Sequence, residues 1–418
     1  NSYLVNTSSN NAGDYTNCEP MLESGPNDDA CAFPFPSSHW LRPDSSTKTG
    51  YRVSLGARTL PLRASGGWLD PDAFNAYDGF SVAGSLLWHL EHSEVTSQML
   101  VPPLEVSRSL EWTSPTLLVL VRRNGTIEVD SNGRNGSLAL HFSEVDELDP
   151  VSRPGRLNYI QPARALIVNS WYVAVVQGMR NSEGTLLPPT SLTSRYIKAY
   201  KSGDPYSFDS DLVGDARFER FRAEIFPLLE GQGVNLAADV QLLWDFHTAS
   251  QNSLDGTLVD VRSAALQRYF LATRQEQHSD IFRITKVSRG NCFEGDSWQV
   301  QAYIKASVPW FLKDDDGDER DGDGRGRARS GDKLDARLLG IGKAMGYPQS
   351  SSFAPSPGQE ATLKEIPLVE VGLALTIPCS INVNTKPNVV IDYGQGLFEN
   401  RVALLEWGWL RKQIYRLQ

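Results

Sequence analysis

Asn388-Val389-Val390-Ile391-Asp392-Tyr393-Gly394-Gln395-Gly396-Leu397-Phe398 is the stretch that decides how this 418-residue chain is read. Val389 to Ile391 is apolar on both faces, as suits a strand covered on both sides. Gly394 and Gly396 then allow a tight turn. From Asn400 to Leu417 the pattern is that of an amphipathic helix, with Val402, Leu405 and Trp409 on its apolar stripe. Arg411, Lys412 and Arg416 crowd its C-terminal end, where they complement the helix dipole. A strand, a glycine turn and a helix N-terminus together present preorganised backbone N–H groups, which acyl transfer needs where an oxyanion forms. The candidate donors are the backbone N–H groups of Gly396 and Leu397, with Gly394 and Gln395 supporting the turn. A lone G-x-G after a strand also occurs in purely structural turns. The pair Trp407 and Trp409 fits core or interface better than a ligand site.

Ten Trp, fourteen Tyr and sixteen Phe supply enough apolar mass for a globular protein, and the length suits about two to three domains. The net charge is −10 and no basic patch stands out, which argues against nucleic acid or an anionic membrane surface as the main partner. No run of roughly eighteen apolar residues predicts a membrane span. The sequence starts at Asn1, as a mature protein would after signal cleavage, so a secreted or extracellular cell-surface location is expected. Cysteine usage agrees. Cys18 and Cys31 lie close together in an irregular N-terminal segment, and Cys292 and Cys379 bracket a second β-rich region. This spacing suggests two local disulfides, the alternative being four buried thiols. Without a C-x-x-C, zinc is not expected. Sequons at Asn6, Asn124 and Asn135 mark candidate glycosylation sites, the last two in turn-like, glycine-rich contexts.

Residues 1–205 read as an extended N-terminal segment followed by an antiparallel β-sandwich. Cys31-Ala32-Phe33-Pro34-Phe35-Pro36-Ser37 forbids helix and favours an extended crossing. Thr116 to Val121, Ser137 to Phe142 and Trp171 to Val176 are β-type runs separated by Asn-Gly turns. Residues 206–275 read as a helical connector with one strand. Phe218, Phe221, Ile225 and Leu228 share a helical face from an Asp215 N-cap to a Gly231 stop, with Pro227 kinking or shortening the helix. The strand Gln241 to Phe246 and an amphipathic helix from Leu258 to Leu271 follow. Residues 276–418 return to period two at Phe282–Val287, Trp298–Val308 and Leu368–Ile377, interrupted by a low-complexity insertion at about 313–362. There Asp314, Asp316, Asp318, Asp321 and Asp323 offer many oxygens for calcium. Glu319 occupies the position where an EF-hand needs glycine, so the stretch reads as a solvated acidic loop.

No G-x-S-x-G occurs anywhere, and Gly295-Asp296-Ser297-Trp298 precedes a hairpin instead of following a strand into a helix. The histidines offer no triad. His89-Leu90-Glu91-His92 has metal-ligand types but reads as a strand end beside Trp88, and His39, His141, His247 and His278 are isolated.

Several segments, in order along the chain, resemble one family of large secreted hydrolases. It comprises the bacterial virulence-factor lipases that carry an immunoglobulin-like domain ahead of an α/β-hydrolase. Cys31 to Ser37 is similar to that family's C-x-x-P-F-P-S opening, and Asn75-Ala76-Tyr77-Asp78-Gly79-Phe80-Ser81 to its N-x-x-D-G-F-S. Gln161 to Leu166 with Tyr172 to Val175 resembles the last strands of its sandwich. Trp244-Asp245-Phe246-His247-Thr248-Ala249-Ser250 resembles its W-D-F-x-x-A-S strand, and Tyr393 to Leu397 its Y-G-H-G-L oxyanion turn. The resemblance implies an immunoglobulin-like sandwich, a helical connector, and the first strands and first helix of an α/β-hydrolase domain. It also implies esterase- or lipase-like chemistry without a cofactor, with Gly396 and Leu397 at the oxyanion position. Gln395 departs from the family's histidine. The expected catalytic Ser, Asp and His lie outside this chain, in a C-terminal hydrolase part that continues it or is a separate chain. The alternative is a non-catalytic extracellular surface or structural protein on a degenerate hydrolase scaffold.

Overall fold

Branched and aromatic residues concentrate in a few long strands, and these set the architecture of the chain. The computed structural model describes residues 19–21, 32–56, 59–60, 71–90, 95–145, 157–275, 281–294, 298–313, 333–334 and 366–379. They belong to two units, one up to Asp255 and one from Gly256 onward. The protein is β-rich, with several sheets and few helices. Every strand pairing among the described residues is antiparallel.

The strands of the first unit are β1 (Leu41–Pro43), β2 (Tyr51–Val53), β3 (Leu86–Trp88), β4 (Thr116–Arg123), β5 (Thr126–Ile127), β6 (Ser137–Leu138), β7 (His141–Val145), β8 (Asn158–Pro162), β9 (Ser170–Gln177) and β10 (Val240–His247). The main sheet has five strands, in the order β10-β9-β4-β5 with β6 alongside β4; β3-β8-β7 forms a second sheet and β1-β2 a ribbon. β9 and β10 are buried along their whole length. One continuous core joins Leu117, Val119, Val173 and Phe246 of the main sheet to Leu86, Trp88, Val145 and Ile160 of the second. Each fully buried side chain of this size contributes about 1.5–3 kcal/mol.

Short helices surround the sheets: α1 (Asp72–Asn75), α2 (Ser191–Lys201), α3 (Pro205–Phe208), α4 (Ala216–Arg220), α5 (Phe226–Gly231), α6 (Leu236–Asp239) and the long α7 (Gln251–Gln275). Asp215 caps α4 as its sequence position predicts, its carboxylate accepting from the N–H groups of Arg217 and Phe218. The single helix expected from 215 to 231 is instead broken by a π-helical turn, Phe221–Ile225, in which Phe226 N–H donates to the Phe221 carbonyl. Pro227 explains it: its ring cannot follow a regular turn and offers no N–H to the residue four back, so the backbone widens by one residue ahead of it. Gly231 is the last helical residue, not the stop; the left-handed position is Gly233, with φ +88°. α7 also begins earlier than the expected Leu258, because Ser250 supplies a capping oxygen to Ser253 N–H at 3.3 Å.

The run Ser137 to Phe142 is two strands, not one. β6 pairs with β4 in the main sheet, whereas β7 pairs with β8 in the second. Ala139 and Leu140 carry the chain between the sheets, each still hydrogen-bonded, to the Leu118 carbonyl and the Ala163 N–H respectively. The strand expected within a connector, β10, is the outer strand of the main sheet and pairs with β9.

The second unit contains β11 (Phe282–Arg289), β12 (Trp298–Pro309), the short pair β13 (Leu312–Lys313) and β14 (Lys333–Leu334), and β15 (Leu368–Pro378). β11-β12-β15 is a three-stranded sheet. Its register aligns Phe282 with Ala306 and Val371, Ile284 with Ile304 and Leu373, and Val287 with Ala302 and Leu375. These rows make one face apolar. The other face aligns Arg283 with Lys305 and Lys286 with Tyr303, and both Arg283 and Lys305 pair with Glu370. A disulfide joins Cys292 to Cys379 across 87 positions, at the β12 and β15 ends of the sheet, with Cα atoms 5.7 Å apart. Ala264 and Leu271 of α7 pack with Phe311 and Ile366 in a small core of this unit.

Candidate functional site

The oxyanion candidates Gly394, Gln395, Gly396 and Leu397 lie outside the described residues, as do Cys18, Cys31, Asn6 and the acidic positions Asp314, Asp316, Asp318, Asp321 and Asp323. Among the described residues, no group of three or more His, Cys, Asp or Glu side chains is arranged to hold a metal ion, and no helix is long and apolar enough to cross a membrane. What the structure does build is a buried ionic cluster where Glu19, Ser37–Ser38, α4 and β10 meet.

The cluster starts from Asp245, the lone charge in the apolar run Leu242-Leu243-Trp244-Asp245-Phe246. Alternation along β10 puts Trp244 and Phe246 on one face and Asp245 with His247 on the other. Asp245 is almost wholly buried and accepts from Arg217 Nε at 3.0 Å, Arg220 Nε at 2.6 Å and Ser38 Oγ at 2.5 Å. Arg217 and Arg220 are three apart on α4, so they reach the same side. Arg217 Nη1 also donates to Glu19 at 2.7 Å and its Nη2 to Ser37 Oγ at 3.1 Å, while the Ser37 hydroxyl donates to Glu19. Arg220 donates to Ser38 Oγ at 3.2 Å and stacks its guanidinium 4.1 Å above the Trp171 ring.

Two wholly buried carboxylates and two largely buried guanidinium groups thus balance one another. Burial pushes the Asp245 carboxyl up, but Arg220, Arg217 and the Ser38 hydroxyl outweigh it, and the group is held below the usual aspartate range. Burial likewise opposes the charge on Arg217, which Glu19 and Asp245 more than restore. A catalytic base needs a proton affinity near the working pH. Asp245 is held far from that condition, and the hydroxyls of Ser37 and Ser38 are spent on carboxylates. The groups of the cluster are thus paired with one another, and their pairing fastens chain segments.

Its position shows what it fastens. β10 pairs on one side only, with β9. The stretch Pro36 to Trp40 closes the other side: the Pro36 carbonyl accepts from Trp244 Nε1 at 3.0 Å on one face, and Ser38 reaches Asp245 on the other. An edge that would otherwise invite foreign strands is thereby covered. A second clasp adjoins it. Phe80 N–H donates to the His247 carbonyl at 2.9 Å, and Ala249 N–H to the Phe80 carbonyl at 2.8 Å, the one place where segments run parallel among the described residues. Asp78 accepts from Ser250 N at 2.9 Å and from Ser250 Oγ at 2.7 Å, just ahead of α7. Gly79 lies so close that a Cβ there would sit 2.6 Å from Ala249 N. Asp78, Gly79 and Phe80 are thus joined to the run Trp244 to Ser250 residue by residue, and Phe35 adds a ring contact to Phe80 at 5.4 Å.

His247 sits between Tyr51 and Trp171, and its Nδ1 has no hydrogen-bond partner among the described residues. Burial lowers its pKa to about 4. Because the folded value lies below the unfolded value of 6.5, the unfolded chain binds the extra proton, and stability falls as pH drops from about 6.5 toward 4. The expected loss from this side chain is about 3 kcal/mol. Buried His141, also lowered, acts in the same direction, so the difference between variants isolates His247. Urea unfolding at several pH values is expected to show a shallower slope for His247→Phe than for the wild type. An unchanged slope would contradict the assignment.

Comparison with protein-family models, with curated proteins and with solved structures finds no match. Of the residues that build the clasps, the sequence reading quoted Ser37, Asp78, Gly79, Phe80 and Asp245 only as parts of motifs. It missed Glu19, Ser38, Arg217 and Arg220. The available signal was Asp245 itself, since a carboxylate inside a strand buried on both faces requires cationic partners.

Proposed function

We propose that this chain is the N-terminal portion of a secreted esterase- or lipase-like α/β-hydrolase, in which an immunoglobulin-like sandwich forms a non-catalytic platform. The supporting observation is the meeting of Phe35–Ser38, Asp78–Phe80 and Trp244–Ser250 in one buried assembly. They overlap three of the five segments on which the family resemblance rests, and their contacts give a physical reason for the occurrence of those three together. The second unit adds support. Its antiparallel sheet presents an apolar face on which Ile284 is 62% and Leu375 48% exposed, a face that suits packing against further protein. The disulfide Cys292–Cys379 fits an oxidising compartment.

In this reading Gly396 and Leu397 supply the oxyanion N–H groups, and Gly394 and Gln395 shape the turn. The nucleophile, its acid and its base come from residues outside these 418, since the chain holds no nucleophile elbow. Gln395 favours a second reading, a non-catalytic surface or structural protein, because the residue resembling the family's histidine has lost its ring. The two are separated by treating the native, full-length protein with a serine-directed fluorophosphonate and assaying p-nitrophenyl esters of short and long acyl chains. Labelling of a serine together with ester turnover is expected. Absence of both in protein with intact Cys292–Cys379 would remove the enzyme reading and leave the second.

A further inference from the structure

The free edge of the main sheet is bracketed by two sequons, and we infer that N-linked oligosaccharides on Asn124 and Asn135 shield this edge from other chains. β5 pairs only with β4 and is the outer strand opposite β10. After β5 the chain stays on β4 for one more residue, Glu128 N–H donating to the Val121 carbonyl, and then folds back on itself: the Glu128 carbonyl accepts from Gly136 N–H and Val129 bridges Asn135. Ile127 is 41% and Val129 52% exposed, so the edge offers apolar side chains to other chains. Exposed apolar side chains on the outer side of a sheet invite association unless something covers or charges them. β10, at the far side, is covered by Pro36–Trp40; β5 has no comparable strap among the described residues.

Both asparagines stand where such a cover would have to start. Asn124 and Gly125 form the β4–β5 hairpin tip, with φ of +48° and +79°, the backbone of a two-residue turn that matches strand twist. Asn135 ends the excursion that Asp130 holds in shape by accepting from the N–H groups of Asn132 and Arg134. Both asparagines are exposed, and neither side-chain amide makes a hydrogen bond among the described residues. Gly136 has φ +82° and approaches Leu228 so closely that a Cβ would lie 2.7 Å from Leu228 Cδ1. This contact fixes Asn135 at the rim of a shallow depression lined by Val121, Ile127, Ala223, Pro227 and Leu228, over which the first sugar can lie. In the modification, the sugar C1–O bond of a lipid-linked diphosphate oligosaccharide breaks. A C1–Nδ2 bond forms, and the amide proton leaves with the lipid diphosphate.

The inference rests on the secretory passage included in the proposed function. The full chain, secreted from eukaryotic cells, is digested with peptide N-glycosidase in 18O-water, and the state of Cys292 and Cys379 is read from the same sample. Expected are 18O-labelled aspartates at 124 and 135. The Asn124→Gln/Asn135→Gln variant is expected to self-associate in sedimentation as concentration rises. Ile127→Lys on that background, which charges the edge, is expected to restore the monomer. Bare asparagines in protein whose Cys292–Cys379 bond is closed would overturn the inference and leave the secretory reading standing. Bare asparagines with reduced cysteines would overturn both. A glycan-free variant as monodisperse as the wild type would overturn the shielding role.

Discussion

Asp245→Ala is expected to lower the stability of the first unit by about 4 kcal/mol, the size of effect seen when one partner of a buried ion pair is removed. The loss does not arise from the carboxylate's contacts alone. Arg217 and Arg220 would stay largely buried with Glu19 as the sole remaining anion in the cluster, and Ser38 Oγ would lose its acceptor. The measurement is the urea midpoint at constant slope. Removing the whole cluster separates this mechanism from a packing defect. Asp245→Leu combined with Glu19→Leu, Arg217→Met and Arg220→Met leaves no unpaired charge and is expected to recover most of the loss. Losses that add across the four positions would show that the charges do not act as one network.

Gly79→Ala is expected to cost about 3 kcal/mol, at the upper end for over-packing, and to lower the midpoint of thermal unfolding by on the order of 10 °C. The added methyl would meet Ala249 N at 2.6 Å and Thr248 C at 2.7 Å. Both are backbone atoms in the clasp around Phe80, so no rotamer relieves the contact, and one of the Phe80 hydrogen bonds must open. Gly84→Ala is the control. A Cβ there meets only the Ser81 side chain, 3.4 Å away at its nearest atom, and a change of a few tenths of a kcal/mol is expected. Equal effects at the two positions would refute the close approach.

The long strands were legible because their residues carry the period. Thr116 to Val121, Trp171 to Val176 and Gln241 to Phe246 are runs of β-branched, aromatic and aliphatic residues that have one reading. The single expected strand Ser137 to Phe142 failed because β6 and β7 are contiguous in sequence yet belong to different sheets, and alternation continues unbroken across the switch at Ala139 and Leu140. The connector strand β10 was recognised as a strand, but its pairing with β9 is a contact of about seventy residues' separation that no local pattern encodes. Pro227 announced a break in the helix, and the break takes the form of a wide turn, Phe221–Ile225, ahead of it.

The cluster was less legible than the strands for a related reason. Arg217 and Arg220 flank Phe218 and Phe221 on a short helix, where basic residues ordinarily face solvent. Glu19 sits in a polar N-terminal stretch, and Ser37 and Ser38 end a proline-rich crossing. None of these positions is unusual by itself. Their meaning depends on Asp245, which is 207 positions from Ser38.

Hydrogen–deuterium exchange of the full-length wild type and of Asp245→Ala, compared peptide by peptide, tests the central claim most directly. If the ionic cluster fastens the motif segments into one assembly, the substitution will raise exchange together at Phe35–Trp40, at Asp78–Phe80, along α4 and in Trp244–Ser250. A rise confined to β10 and α4, with Phe35–Trp40 and Asp78–Phe80 as protected as in the wild type, would contradict it.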